Sequence, residues 1–367
     1  MGLTGSGKSS FISCLAEEAV AAIGTTEVTI YSFQHPDGRR IFLIDTPGFN
    51  DSNRSDTSVL KDVALFLSQT YADKVRLSGI VYLHSIKDTR MAGSSLHNLR
   101  MFQKLCGDDA LGHVVLAPTM WDTQNGEPSV SHQRCVEREK ELMENQSWWG
   151  FMIDRGSRVV RHTQDRASAL KILDVLLARK LKTVLDIQKE LFDDKKNLDD
   201  TAAGQTLEKE LNELKRKNRE DLEEIQASYE AALRTQDLKL AEALREERER
   251  LDREMMAAGQ AQQALKISFE KLAVEGTARY NQLLQETRNR ETQMAARLER
   301  QQEAAKLEAC AMEIRMQKAG SRPSKLKTTF AAFGVLAGAA KTGSGMVDGD
   351  HERIIDGMRE MANHFRD

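Results

Sequence analysis

The chain has 367 residues, with 53 lysines plus arginines against 56 aspartates plus glutamates, and its formal net charge is −3. This near-balance excludes a strongly basic nucleic-acid-binding protein, so we expect no nucleic-acid partner. Charged residues make up 30% and aromatic residues only 5%, which predicts that part of the chain is extended and solvated. The four cysteines form no CxxC pair, so we expect a reducing, cytoplasmic setting.

Strand-like and helix-like segments alternate in the first half of the chain, which predicts an α/β fold with a mostly parallel sheet. The predicted strands are 27–33, 40–45, 79–84, 114–118 and 158–161. The predicted helices are 11–23, 58–69, 95–105, 131–145 and 167–182. The composition then changes twice, so we expect three regions: an α/β domain over 1–182, a helical region over 183–320, and a small-residue apolar segment with a charged end over 321–367.

The first candidate site is a glycine-rich loop whose sequence, GLTGSGKS at 2–9, fits the phosphate-binding pattern G-x-x-x-x-G-K-[ST]. Glycines let backbone N–H groups curl around phosphate oxygens, and the following helix points its N-terminus at the same anion. We expect Lys8 to reach the β- and γ-phosphates, which also makes it a candidate catalytic residue, and Ser9 to ligate Mg²⁺. A flexible Gly/Ser loop is the alternative. The expected phosphate-binding residues are Gly2, Gly5, Ser6, Gly7, Lys8, Ser9 and Ser10.

The second candidate site follows the predicted strand 40–45, where Asp45 opens the run Asp-Thr-Pro-Gly. An acid at the tip of a buried strand can hold the Mg²⁺ shell, and the Gly48 N–H can contact a γ-phosphate. A Pro-Gly turn alone is the competing interpretation. Between the two motifs, Thr25 or Thr26 is a candidate second hydroxyl ligand of Mg²⁺, and a β-branched turn before a strand explains either threonine equally well.

The third candidate site follows the apolar strand 114–118, where the chain continues as Thr119-Met120-Trp121-Asp122. Ligands of open α/β sheets bind at the carboxyl ends of the strands, which is where these residues should lie. The carboxylate of Asp122 can accept hydrogen bonds from both N1–H and N2–H₂ of guanine. A helix N-cap aspartate is the alternative. Thr119 and Asp122 are therefore the candidate base-binding residues.

Together these motifs resemble the AIG1/IMAP-type, septin-related GTPases, especially a fungal set of G-domain proteins with coiled-coil tails. The resemblance is carried by GLTGSGKSS at 2–10, DTPGFN at 45–50 and TMWD at 119–122, with DTRMAGS at 88–94 and MFQKLCGDDAL at 101–111 in support. It covers about the first 180 residues. It implies a Ras-like P-loop fold that binds GTP with Mg²⁺ and dimerises across the nucleotide face.

Three positions decide how far this resemblance extends to activity. Met120 stands where such GTPases carry a lysine whose stem packs on the base, so the choice between GTP and ATP stays open. Phe49 stands where Ras-like enzymes place a glutamine that orients the attacking water, which indicates slow intrinsic hydrolysis. Arg90 matches an arginine that acts across a dimer in relatives, which makes it a candidate catalytic residue, and a solvated surface arginine is the alternative.

The start of the sequence affects how many strands we expect in the sheet. A phosphate loop normally follows a strand, and relatives carry a strand that ends in methionine, whereas here Met1 directly precedes Gly2. We therefore expect the sheet to lack its first, central strand. Its neighbours would then lose hydrogen-bond partners, because each inner strand pairs on both edges.

The helical region carries an apolar stripe with a 4-4-3 rhythm from Leu207 to Leu283. Its period of about 3.67 residues predicts a nearly straight or slightly right-handed coiled coil. As one helix, 207–316 would extend on the order of 165 Å. A single solvated helix held by i,i+4 charge pairs is the alternative. The apolar segment 327–341 can dock on a membrane surface, a partner or the α/β domain, or serve as a flexible Ala/Gly linker.

The leading interpretation is a GTP-binding and GTP-hydrolysing switch that uses Mg²⁺ and forms a homodimer through its G domain and its coiled coil. Peripheral contact with a membrane is compatible with this interpretation. The competing interpretation is a non-enzymatic scaffold that a bound nucleotide stabilises. Phosphate release from GTP and from ATP separates the two.

Overall fold

A computed structural model describes residues 1–16, 27–51, 54–88, 93–121, 130–179, 182–235 and 237–318. The chain divides into two compact units, Met1–Leu284 and Gln285–Asp367. The described part of the second unit is helical and ends at residue 318, so the segment 327–341 lies outside the described residues. Within the described ranges, no helix combines the length and the apolar character needed to cross a membrane.

The described residues of the first unit form five strands in two groups. Strands β1 (Thr29–Gln34) and β2 (Arg40–Asp45) pair antiparallel, while β3 (Ile80–Ser85), β4 (Val114–Thr119) and β5 (Arg158–Val159) pair in parallel in the order β3-β4-β5. Every residue of β4 is buried, as expected for an inner strand of a sheet covered on both faces. The predicted strand 40–45 is confirmed residue for residue.

Residues 1–3 lie between the two groups of strands. The amino group of Met1 donates to the Val81 carbonyl of β3 at 2.8 Å, and the Leu83 N–H donates to the Met1 carbonyl at 2.9 Å. On the other side, Leu3 forms a parallel bridge with Phe49, just after β2. Met1 and Leu3 therefore make strand-like hydrogen bonds to β3 on one side and to the segment after β2 on the other.

Helices cover both faces of the sheet. One core packs α2 (Asp56–Ala72) and α3 (Ser94–Cys106) on one face, and a second core packs α1 (Lys8–Ser13) and α6 (Arg166–Leu177) on the other. The remaining helices of this part are α4 (Val130–Glu144), α5 (Phe151–Asp154), α7 (Asp186–Gln188), the 3₁₀ helices Asp108–His113 and Leu198–Asp200, and the π-helical turns Gln146–Gly150 and Lys189–Asp193. This is the Ras-like P-loop GTPase fold. The predicted helix 11–23 begins earlier, at Lys8, and it ends at Ser13, so the prediction is wrong for residues 14–16, while residues 17–23 lie outside the described residues.

Short polar side chains fix where the long helices begin. Ser55 caps α2 by accepting from the Ser58 N–H, and Asp165 caps α6 by accepting from the Ser168 N–H at 2.7 Å. Thr201 does the same for the first helix of the helical region. Such caps satisfy N–H groups that have no partner within the helix.

The helical region contains three helices, α8 (Ala202–Arg234), α9 (Leu238–Leu265) and α10 (Phe269–Lys318). Its helical character is confirmed, but the expectation of one helix over 207–316 is wrong. The chain breaks between α8 and α9 and again between α9 and α10. Asp237 caps α9 through the Leu240 N–H, and Ser268 accepts the Leu272 N–H at the start of α10.

Helices α8 and α9 lie side by side as an antiparallel hairpin. Lys215 contacts Gln262 at 2.6 Å and, further along, Gln226 contacts Arg248 at 2.9 Å. The hairpin starts and ends at nearly the same place, because the Leu198 N–H bonds to the Ile267 carbonyl at 3.3 Å. The apolar stripe is therefore partly buried within one chain. The compact unit that contains this hairpin continues to Leu284, and the boundary at residue 182 stays a prediction from composition.

Candidate functional site

The glycine-rich loop connects Met1–Leu3 to the first turn of α1. Gly5 and Gly7 have φ angles of 79° and 89°, a left-handed conformation that favours glycine. A Cβ placed at Gly5 would meet no atom within 4 Å, so the space in front of the loop is open. Gly7 is the N-cap of α1, so this helix begins directly at the glycine-rich loop.

Lys8 is buried inside the loop. Its ammonium group donates to the Leu3 carbonyl at 2.8 Å and to the Gly2 carbonyl at 3.2 Å. Burial lowers the pKa of Lys8 to about 8, although the nearby charges of Asp45 and Asp51 partly oppose this shift. A desolvated ammonium group next to open space favours an anion, because an anion would restore the electrostatic stabilisation that water no longer provides.

The two predicted metal ligands meet at the start of α1. The Ser9 hydroxyl lies 3.2 Å from a carboxylate oxygen of Asp45, which is the last residue of β2 and is only 1% exposed. The hydroxyls of Ser6 and Thr46 are buried close by without a hydrogen-bond partner among the described residues. Buried hydroxyls normally have partners. This donor set of hydroxyls, a carboxylate and an ammonium group fits a phosphate with a hard cation such as Mg²⁺.

The segment after β2 lies directly on the glycine-rich loop. The Thr4 N–H donates to the Phe49 carbonyl at 2.9 Å, and a Cβ placed at Gly48 would lie 2.7 Å from the Thr4 nitrogen. The Phe49 side chain is 3% exposed. Gly48 therefore lies against the glycine-rich loop, and its contact with a phosphate stays a prediction, while the Phe49 side chain presents no polar group there.

Thr119 holds the third motif against the loop. Its hydroxyl lies 2.9 Å from the Ser6 carbonyl and 3.2 Å from the His84 carbonyl, so one buried group joins the ends of β3 and β4 to the phosphate loop. The next residue, Met120, has a φ of 60°, and its methyl group would lie 3.6 Å from a Cβ at Gly7. Met120 thus packs against the loop on the side expected for a base.

Two residues beside this motif were missed in the sequence. The Gln164 amide lies 3.1 Å from the Met120 sulfur, and the Arg161 guanidinium lies 4.3 Å above the Trp121 ring. Arg161 also forms an ion pair with Glu139. Both missed residues follow β5, which ends at Val159, whereas the predicted strand 158–161 placed Arg161 inside it.

Several predicted residues remain untested. Ser10 is an exposed residue of α1. Thr25, Thr26, Arg90 and Asp122 lie outside the described residues. Lys8, Ser9, Asp45, Gly48 and Thr119 are brought together as expected, and their assignment as ligand-binding residues stays a prediction.

Comparison with known proteins agrees with a GTPase domain. Residues 1–92 match the family described as 50S ribosome-binding GTPase. Toc33 from Arabidopsis thaliana, in complex with GDP and Mg²⁺, is similar with a TM-score of 0.41 at 16% identity, over 51% of this chain and 86% of that chain. The same protein with Mg²⁺ and GMPPNP gives 0.40 at 16% identity, over 50% and 84%.

A third similar structure concerns the importance of dimerisation for the GTPase activity of the chloroplast translocon components atToc33 and psToc159. It has a TM-score of 0.40 at 15% identity, over 48% of this chain and 80% of that chain. No curated protein matches the chain. The structural overlaps are partial, and the fold is assigned from this chain's own strand order and phosphate loop.

Proposed function

We propose that this chain is a GTP-binding protein that hydrolyses GTP slowly. The observation that carries the proposal is the convergence of Lys8, Ser9 and Asp45 at one loop, since an ammonium, a hydroxyl and a carboxylate are the groups that a metal-bound triphosphate needs. Ser9 and Asp45 would hold Mg²⁺, together with Thr25 or Thr26. The cation would offset the negative charge of the phosphates.

Guanine recognition is assigned to the segment that begins at Thr119. Asp122 would accept the two donors of guanine, and the thioether of Met120 would cover one face of the base in place of a lysine stem. The packing of Met120 on the glycine-rich loop supports this arrangement. This arrangement and the sequence motifs at 2–10, 45–50 and 88–94 together favour the AIG1/IMAP type among GTPases.

Hydrolysis is expected to be slow in an isolated chain, because the buried ring of Phe49 has no group that can orient water. Arg90 from a second copy would supply the missing positive charge across a dimer. The helical region would raise the chance of that encounter by self-association.

The second candidate is a scaffold whose assembly depends on bound GTP and whose turnover is negligible. Phe49 favours it, for the same reason that it predicts slow hydrolysis. The two candidates differ in one measurable quantity, the rate of phosphate release per chain as the protein concentration rises.

Binding of GTP and ATP to the full chain, followed by phosphate release over a range of protein concentrations, tests the proposal. GTP should bind more tightly than ATP, and Lys8→Ala should abolish binding while Lys104→Ala, at an exposed lysine of α3, leaves it intact. The rate per chain should rise with concentration, and Arg90→Ala should flatten that rise while Arg100→Ala does not. A rate that is independent of concentration in the parent would favour the scaffold, and tight GTP binding by Lys8→Ala would refute the phosphate site.

A further inference from the structure

Thr4 is an exposed residue of the glycine-rich loop, at a position that the pattern G-x-x-x-x-G-K-[ST] leaves unspecified. Its hydroxyl donates to the Asp51 carboxylate at 3.1 Å. A Cβ placed at Gly48 would collide with the same hydroxyl oxygen. Because the Gly48 N–H is expected to contact a γ-phosphate, the Thr4–Asp51 pair lies at the γ-phosphate end of the candidate site.

The electrostatics of Lys8 agree with this placement. Burial lowers the pKa of Lys8 to about 8, and the charges of Asp45 and Asp51 partly oppose this shift. Both carboxylates are therefore within electrostatic reach of the ammonium group that is expected to contact the β- and γ-phosphates. Asp45 lies beside Ser9, the other predicted metal ligand. Asp51 is the second carboxylate near Lys8, and it has no role in the expected metal site.

A sharp turn of the backbone brings Asp51 back to the loop. Phe49 is only 3% exposed, and its carbonyl accepts the Thr4 N–H at 2.9 Å. Asn50 has a φ of 57°, in the left-handed region that asparagine enters more readily than most residues. The next side chain, Asp51, then accepts the Thr4 hydroxyl. Thr4 thus holds both sides of the turn, one through its backbone and the other through its side chain.

Hydrolysis of GTP requires a group that orients a water molecule towards the γ-phosphate. Phe49 stands where Ras-like enzymes carry a glutamine for this purpose, and its ring has no polar atom. A carboxylate has about four lone-pair sites, so an acceptor bonded to Thr4 can also accept a hydrogen bond from water. A Cβ placed at the neighbouring Gly5 would meet no atom within 4 Å, which leaves space for water at this side of the loop.

We propose that Asp51 orients the attacking water in GTP hydrolysis and that Thr4 positions Asp51. The inference rests on the proposed function, since it requires GTP at the loop. The water oxygen forms a bond to the γ-phosphorus while the bond from that phosphorus to the β-phosphate oxygen breaks, and the electron pair of the broken bond stays on GDP. One proton of the water remains on the released phosphate, and the other passes to the Asp51 carboxylate and then to solvent. Asp51 supplies no positive charge, so hydrolysis in an isolated chain stays slow.

Two pairs of variants test the two roles. Asp51→Asn keeps the size of the side chain and removes the charge that accepts the proton. Asp109→Asn is its matched control, because Asp109 is 91% exposed and lies before β4, whereas the candidate site follows that strand. Thr4→Val removes the hydroxyl that holds Asp51 and keeps the β-branched shape. Thr4→Ser is the conservative variant, because it retains a hydroxyl.

The experiment measures two quantities on the full chain at one high protein concentration: the affinity for a non-hydrolysable GTP analogue, and the single-turnover rate of GTP hydrolysis. We expect Asp51→Asn to lower the rate by about 10²-fold, the lower end for a group that accepts a proton in the transition state. Binding of the analogue should be unchanged or tighter, because a negative charge near the phosphates is removed. Thr4→Val should lower the rate by a smaller factor and Thr4→Ser should retain most of it. Asp109→Asn should change neither quantity.

Three results would overturn the proposal: a parental rate in Asp51→Asn, a loss of rate matched by an equal loss of analogue affinity, or a parent that binds the analogue and releases no phosphate. If Asp51→Asn fails to fold, the two Thr4 variants decide, and equal rates in Thr4→Val and Thr4→Ser would refute the positioning role and the proposal with it. A parent that binds no GTP would show that the proposed function fails. That result is distinct from a parent that hydrolyses GTP and an Asp51→Asn variant that does so equally fast.

Discussion

Thr119→Val removes the one hydroxyl that joins the phosphate loop to the ends of β3 and β4. The side chain keeps its β-branched shape, so the strand is not disturbed by the change. Thr119 is 1% exposed, and its hydroxyl lies 2.9 Å from the Ser6 carbonyl and 3.2 Å from the His84 carbonyl, which share its single proton. Valine has no donor, so this shared hydrogen bond is lost.

The cost can be estimated from the burial of these groups. A buried acceptor left without its hydrogen bond costs about 1–3 kcal/mol. In a unit of this size, each kcal/mol lowers the melting temperature by about 2–4 °C. We therefore expect the melting temperature to decrease by roughly 2–12 °C, and a bound nucleotide to be released faster because the loop is held less firmly.

Thr57→Val supplies the control for this estimate. Thr57 is also 1% exposed, but its hydroxyl has no hydrogen-bond partner among the described residues. Replacing Thr57 by valine therefore exchanges the hydroxyl for a methyl group of similar size and breaks no hydrogen bond. Thermal unfolding of both variants beside the parent gives the comparison. If Thr119→Val is as stable as Thr57→Val and releases nucleotide no faster, the Thr119 hydroxyl does not hold the loop and the reasoning is wrong.

Four further predictions concern single residues. Because the pKa of Lys8 is lowered to about 8, nucleotide affinity measured by titration should fall as the pH rises through about 8, and a flat profile would contradict the role of its charge. Burial, with Asp56 and Glu213 nearby, raises the pKa of Glu210 from 4.5 to about 7. The folded chain therefore binds a proton there that the unfolded chain has lost, so stability should decrease between pH 4.5 and 7, and Glu210→Gln should reduce that slope in urea unfolding. Asp122→Asn should lower the affinity for GTP relative to ATP in competition binding, and an unchanged ratio would exclude Asp122 from base recognition. Thr201→Ala should lower the unfolding free energy by about 1 kcal/mol, because the cap of α8 is lost, and Thr235→Ala at the other end of that helix should cost less.

The candidate site was largely accessible from the sequence because its chemistry is local. A glycine-rich loop, an acid at the end of β2 and a threonine at the end of β4 each have a recognisable residue pattern, and the loop contacts both strand ends through Ser9–Asp45 and Ser6–Thr119. The roles of Gln164 and Arg161 were not accessible in this way. The strand near them was predicted, but their contacts with Met120 and Trp121 depend on the pairing of β5 with β4, which no local residue pattern specifies.

The path of the helical region could not be read from its apolar stripe. The 4-4-3 rhythm runs on through both breaks, since Leu233 and Leu240 keep the spacing across the first, and Leu265 and Phe269 across the second. Neither break contains a proline or a glycine. Burial accounts for the second break: Leu265 is 0% exposed and Ile267 is 6% exposed, and both belong to the core that includes α2 and α3. Tertiary packing outweighs helix propensity at these positions.

The α8–α9 hairpin begins and ends at one place, between Leu198 and Ile267, and its base packs on the core through Leu207 and Leu211. Its tip, near Thr235 and Asp237, lies far along both helices from that base. Removing seven residues, about two turns, from each arm near Thr235 and Asp237 would shorten the projection by about 10 Å and keep the same faces in contact. The chain on either side would follow an unaltered path. Matched insertions or deletions in the two helices can therefore lengthen or shorten the hairpin during evolution. They change how far the hairpin extends from the domain and leave the candidate nucleotide site unaltered.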